Sequence, residues 1–185
     1  MYNKPIIVFE GIEGSGKSLH INNVANYLKK KKFKYIRIRE PGGNKNSEKI
    51  RSLILNNKSN FNKNTDLLLY LAARSENIEK VINKNINKKI ILIDRFIDST
   101  IAYQHYGMGI DKKLIDFINK KLLNQIKIGF TFLNIVNEQN LKNRLSKRKS
   151  LNRYDKFKFF FYKKVQNGFI KIVDKNKKKY MIINS

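Results

Sequence analysis

Gly11-Ile12-Glu13-Gly14-Ser15-Gly16-Lys17-Ser18 fits the pattern G-x-x-x-x-G-K-[ST], whose fixed residues each have a task beside a phosphate. The glycines let the chain turn its N–H groups inward around phosphate oxygens at a helix N-terminus. Lys17 adds a point charge, and Ser18 offers a hydroxyl to Mg²⁺. Asp94 is a second chemical anchor. It ends an apolar run, Ile90-Ile91-Leu92-Ile93, where a carboxylate suits Mg²⁺ or its waters, although helix capping is the plainer use of such an Asp. Arg95 directly after it carries a planar fork that matches phosphate bidentately.

These groups need elements to hold them. Residues 5–10 read as a fully buried strand entering the loop, and residues 18–31 carry Ile21, Val24, Ala25 and Leu28 at helical spacing. Tyr35–Arg39 reads as a short strand stopped by Glu40-Pro41-Gly42-Gly43. A short helix follows over residues 47–55. A longer one, capped by Asp66, runs towards Asn85 with Leu67, Leu68, Leu71, Ile78 and Val81 inward. Residues 89–94 form the next buried strand. Helical segments at 99–106 and 112–123, a strand at 128–133, a helix at 138–147, a basic segment at 148–153, a long helix at 156–175 and a strand at 180–183 complete the chain. Alternating strands and helices make an α/β fold with a parallel sheet wrapped on both faces, and ligands sit at the C-terminal strand ends. Glu10, Arg39 and Asp94 fall at such ends.

With 185 residues and 41% hydrophobic content, the chain suits one core and one domain. It has no apolar run long enough to span a bilayer and no secretory leader, so a cytoplasmic protein without a membrane partner is expected. The absence of cysteine excludes disulfides, thiolate metal sites and a cysteine nucleophile. With His20 and His105 as its only histidines, the chain points to Mg²⁺ held by oxygens. A net charge of +26 suits anionic ligands. The excess is mainly Lys, however, spread through Lys29 to Lys32, Lys88, Lys89, Lys120, Lys121 and Lys177 to Lys179. It accompanies abundant Asn and Ile, which share A- and T-rich codons. Codon bias on solvated faces explains this better than a dedicated nucleic-acid surface, and no such partner is expected.

Four motifs in order, Glu10 to Ser18, Arg39-Glu40-Pro41-Gly42-Gly43, Ala72-Ala73-Arg74, and Asp94-Arg95-Phe96-Ile97-Asp98-Ser99-Thr100-Ile101-Ala102-Tyr103-Gln104, resemble bacterial thymidylate kinases, P-loop nucleoside monophosphate kinases. The phosphate loop alone indicates a P-loop NTPase, and the second and fourth motifs together separate this family from adenylate and guanylate kinases. The resemblance implies a P-loop NTPase fold with a five-stranded, mainly parallel sheet flanked by helices. It implies one domain over residues 1–185, with a mobile lid at about 147–154. It also implies Mg²⁺-dependent transfer of the ATP γ-phosphoryl group to dTMP, giving dTDP, in a homodimer. Gly11, Ile12, Glu13, Gly14, Ser15, Gly16, Lys17 and Ser18 then hold ATP, with Ser18 and Asp94 at the metal. Arg51 and Arg95 take the dTMP phosphate, beside Glu40 and Pro41. Tyr70 stacks on thymine; Arg74, Ser99, Thr100 and Gln104 hold the base region; Tyr103 lies where a 2′-hydroxyl would clash; and Glu13 stands near the sugar and the reaction centre.

Family members place the arginine that stabilises the transferring phosphoryl group either in the phosphate loop or in the lid. This loop contains no arginine, so Arg148 and Arg153 join Lys17, Arg95 and Glu13 as the implied catalytic groups. Three positions depart from the family pattern. Asn152 replaces an acid before the lid arginine, Met108 stands where arginine is common, and the given chain stops at Ser185, where relatives usually continue into a further helix, so the resemblance implies the phosphate contacts more firmly than the contacts to the ATP base. Generic readings stay open beside these. Tyr70 also fits a core aromatic, Arg51 and Arg74 fit surface pairs with Glu48 or Glu76, Thr100 and Gln104 fit local hydrogen bonding, and Glu13, Arg148 and Arg153 fit solvated loops. For function, the alternatives are another P-loop deoxynucleotide or nucleoside kinase and a nucleic-acid-stimulated ATPase. The run at 94–104 fits a mononucleotide pocket and argues against the ATPase.

Overall fold

The computed structural model describes residues 4–147 and 152–185. Its five strands are the apolar runs read above: β1 (Ile6–Glu10), β2 (Tyr35–Arg39), β3 (Ile90–Asp94), β4 (Phe130–Ile135) and β5 (Tyr180–Asn184). They hydrogen-bond in the order β2-β3-β1-β4-β5, and every pairing among them is parallel. Connections between parallel neighbours must cross over the sheet, and helices supply them. These are α1 (Lys17–Lys30), α2 (Lys45–Leu55), α3 (Lys63–Asn77), α4 (Asn83–Asn85), α5 (Ile97–Thr100), α6 (Lys112–Leu123), α7 (Glu138–Ser146) and α8 (Phe159–Asp174). Among the described residues no helix is long and apolar enough to cross a membrane.

The central strands are covered on both faces. Ile21, Ala25 and Leu28 of α1 pack with Phe9 and Leu92, whereas Val165, Phe169 and Val173 of α8 join Ala102, Tyr103, Leu133 and Tyr154 in another cluster. In the ladders Asp94 pairs with both Phe9 and Arg39, and Glu10 pairs with Leu133. The functional strand ends therefore lie side by side along one edge.

The segments around α3 and before α8 depart from the sequence expectation in detail. Asn62, rather than Asp66, caps α3, its side chain accepting from the amides of Asn64 and Thr65. Asp66 falls one turn later and is buried. Helix α3 passes through a π-helical turn, Ile78–Ile82, into α4. The chain before α8 forms a separate 3₁₀ turn, Arg153–Lys156, because Asn152 and Asp155 satisfy each other's backbone amides in a capping box.

After α5 the backbone widens into a π-helical segment, Ile101–Gly107, and Ile101, Ala102, Tyr103 and Gln104 are buried in succession. Such widened turns are frequent at functional sites. Helix α8 packs on this segment at Gly168, where an added Cβ would come within 2.6 Å of the Tyr106 ring.

Candidate active site

Between β1 and α1 the glycines take the backbone where side chains would not fit. Gly16, at φ 84°, precedes the first turn of α1. Gly11, at φ 137°, is crowded as well: an added Cβ would lie 2.2 Å from the Asn134 carbonyl oxygen. Lys17 folds back over the loop, its Nζ donating to the carbonyls of Gly11 at 2.9 Å and Ile12 at 2.7 Å. Burial pushes the Lys17 ammonium down to about 8, with Arg95 adding to the push and Asp94, Glu13 and Glu10 opposing it. Glu13, Gly14, Ser15, Gly16, Lys17, Ser18 and Asp94 border one cavity. The Ser15 hydroxyl and Asp94 Oδ1 are buried there without a protein partner. Buried polar atoms are nearly always paired, so these two mark positions for ligand oxygens, water or a hard cation.

Asp94 is followed by a sharp turn. Arg95 adopts φ 65°, a left-handed conformation that costs a non-glycine residue about 1–2 kcal/mol, and its amide donates to the Phe9 carbonyl at 3.0 Å. The guanidinium is thereby aimed back at the loop. Nη1 donates to the Gly11 carbonyl at 2.8 Å, Nη2 meets Glu13 Oε1 at 2.8 Å, and the group lies 5.2 Å over the Tyr103 ring. Glu13 accepts a further hydrogen bond from the Tyr103 hydroxyl. Burial alone would raise the Glu13 carboxyl, but Arg95 and Lys17 hold it below its ordinary value.

A second cavity opens on the other side of this cluster. Glu13, Arg51, Arg95 and Asn152 line both cavities. The second is completed by Glu40, Pro41, Tyr70, Arg74, Ser99, Thr100, Tyr103 and Gln104, together with Leu55, Phe96 and Tyr154. Tyr70 and Tyr103 meet Tyr154 edge-on, at 5.9 Å and 6.0 Å between ring centres. Arg51 is fixed by donation to the Pro41 carbonyl at 2.6 Å. Gln104 Nε2 is buried and unpartnered, a donor available to a ligand carbonyl.

Arg74 and Ser99 border this cavity but spend most of their polar capacity on the wall itself. The Arg74 guanidinium donates to Glu40 at 2.8 Å, Asn119 at 2.7 Å and the Phe96 carbonyl at 2.9 Å. Ser99 donates its hydroxyl to Glu10 Oε2 at 2.5 Å. Sequence reading placed Glu10 at a strand end without giving it a task. Its carboxylate also accepts from the amides of Phe96 and Ser99 and so organises the start of α5.

Arg148 and Arg153, expected in a lid, are divided. Arg148 lies outside the described residues, and Arg153 borders neither of these two cavities; its Nη2 is bonded to Asp66. Asn152, Tyr154 and Arg144 escaped the sequence reading as site residues. Arg144 donates to the Gly14 carbonyl at 2.7 Å and, with Leu19, His20 and Ser185, borders a further open recess beside the loop. A basic residue in the last turn of a helix gave little sign of this contact, because the loop lies 130 residues away.

Two cavities that share a basic wall, one of them built on a phosphate loop, can hold two phosphorylated ligands end to end. The thymidylate kinase family model matches residues 9–185. The chain is 39% identical over 181 residues to a thymidylate kinase of Sulfurihydrogenibium sp., covering 96% of this chain and 87% of that one. It is 40% identical over 167 residues to a thymidylate kinase of Thermosipho africanus, covering 90% and 83%. The crystal structure of a thymidylate kinase from Ehrlichia chaffeensis superposes with a TM-score of 0.81 at 33% identity, covering 99% of this chain and 88% of that one. The chain belongs to the thymidylate kinase family of P-loop nucleoside monophosphate kinases.

Proposed function

We propose that the chain phosphorylates dTMP to dTDP with ATP, the dTMP lying in the Tyr70–Gln104 cavity and the ATP phosphates in the glycine loop. The observation that supports this reading is the wall the two cavities share, in which Arg51 and Arg95 line both. Two polyanions repel, so most of the catalysis is neutralisation and alignment rather than covalent chemistry. A dTMP phosphate oxygen forms the new P–O bond as the bond from the γ-phosphorus to the ADP oxygen breaks. The nucleophile is already anionic and needs no general base.

In this reading Arg51 and Arg95 hold the acceptor phosphate, and Glu13 keeps Arg95 in place. Glu40 and Pro41 close that end of the pocket, Tyr70 stacks on the base, and Gln104, Thr100, Arg74 and Ser99 border it, while Tyr103 fills the space below the sugar. Lys17 leaves its loop carbonyls for the transferring phosphates. Arg153, and Arg148 beyond the described residues, are the lid cations. Asp94 and Ser18 fit Mg²⁺, since the cavity presents the unpaired Asp94 oxygen among oxygen donors. Bound there, Mg²⁺ neutralises phosphate charge. A homodimer in the cytoplasm, with no nucleic-acid or membrane partner, completes the reading on family grounds.

Calorimetric titration in the absence of ATP tests the acceptor assignment. Loss of the phosphate removes charge-assisted bonds to two arginines, so dTMP should bind at least about tenfold more tightly than thymidine. Arg51→Ala should shrink that margin. Equal affinities for the two ligands would place the phosphate elsewhere.

A further inference from the structure

Asp66 has no cap to form, since Asn62 already serves the first amides of α3, yet its carboxylate is buried with 6% of its side chain exposed. A buried carboxylate is costly unless paired. Both of its oxygens are engaged by neighbouring residues of the 3₁₀ turn before α8: Oδ1 accepts from Arg153 Nη2, and Oδ2 from the Tyr154 hydroxyl at 3.3 Å. The backbone of Tyr154 is fixed as well, its carbonyl accepting from the Tyr162 hydroxyl at 2.7 Å. Between these two attachments the Tyr154 ring stands edge-on to Tyr70 and Tyr103 and forms part of the acceptor cavity wall. Tyr70 lies one helical turn beyond Asp66 on α3, so one stretch of helix carries both the ring at the cavity and the carboxylate that fastens its neighbour.

We infer that Asp66 is a positioning residue for the acceptor nucleotide. It pins the lid turn to α3 through Arg153 and Tyr154, and so holds the Tyr154 ring as a fixed wall of the dTMP pocket. This inference rests on the assignment of that cavity to dTMP. Without the pin, Tyr154 must be ordered when the nucleotide binds, and the cost appears in acceptor affinity. The phosphate-loop cavity meets this turn only through Asn152, so ATP bears much less of the cost.

The test is steady-state kinetics of Asp66→Asn and Tyr154→Phe, singly and together, with each substrate varied in turn. Asp66→Asn keeps the side-chain volume but loses the charge, and Tyr154→Phe removes only the hydroxyl. The expected result is a KM for dTMP raised at least about fivefold in Asp66→Asn, with the KM for ATP changed less than twofold. Tyr154→Phe should raise the KM for dTMP about threefold, and the double variant should show less than the product of the two, because the residues act through one contact. An unchanged KM for dTMP, equal increases for both substrates, or a fall in kcat alone would overturn the inference, the last pointing instead to loss of the Arg153 cation from the transition state. Should Asp66→Asn fail to fold, Tyr154→Phe decides by the same KM comparison. If the wild-type enzyme fails to turn over dTMP, the cavity assignment itself falls.

Discussion

Arg95→Ala should lower kcat/KM for dTMP about 10³-fold while the circular dichroism spectrum stays that of the wild type. The guanidinium is the cation common to the loop carbonyl, Glu13 and both cavities, and a cation at a transferring phosphoryl group contributes about 10³–10⁵ in rate. Its removal also strips Glu13 of a major counter-charge, so burial should raise that carboxyl. Backbone strain provides a control. Arg95 sits at φ 65°, a conformation glycine adopts without penalty, so Arg95→Gly relieves the turn yet should remain as inactive as Arg95→Ala. Lys17→Ala should be comparably impaired. Activity within tenfold of wild type in either Arg95 variant would remove the residue from the phosphate site.

Arg74→Met should cost about 3–5 kcal/mol of folding stability, because it leaves Glu40 buried without its cation. Burial already raises the Glu40 carboxyl above its ordinary value against the opposing pull of Arg74, and losing the arginine should raise it further. An acid whose native pKa exceeds its free value binds more protons folded than unfolded, so its contribution to stability falls as pH rises through that interval. The deficit measured by urea denaturation should therefore be larger at pH 8 than at pH 5. Adding Glu40→Gln should recover part of it, since the buried charge is gone. A deficit below about 1 kcal/mol, or one independent of pH, would contradict the role of this pair.

The phosphate loop and the strands were legible because their signals are local. A run such as Ile90–Ile93 is apolar enough that it has to be buried, and a glycine pattern before a helix states its own geometry. Most strand ends were read within two residues of those observed: residues 89–94 against Ile90–Asp94, and 128–133 against Phe130–Ile135. The start of α3 was misread because Asn62 and Asp66 are both plausible caps a turn apart, and side-chain hydrogen bonds decide between them.

Tertiary partners were the harder part. Glu10 serves amides 86 and 89 residues away, and Asp66 holds Arg153, 87 residues away. No periodicity carries such distances. Most residues that line the second cavity became visible through motif resemblance, whereas Asn152 was noted only as a departure in the expected lid, and the places of Tyr154 and Arg144 beside the cavities emerged only when the chain was folded. The charge of +26 pointed to anions in general and could not choose among them.

On this reading the second cavity accepts thymidine monophosphate, and the γ-phosphoryl group is transferred to it there. Coupled measurement of ADP release with ATP and Mg²⁺, using dTMP, dUMP, dCMP and thymidine side by side and single-stranded DNA in a separate arm, tests it most directly. The predicted result is the highest kcat/KM for dTMP, little release with thymidine, and no stimulation by DNA. Preference for thymidine or another monophosphate, or ADP release that rises with DNA and ignores dTMP, would contradict the account.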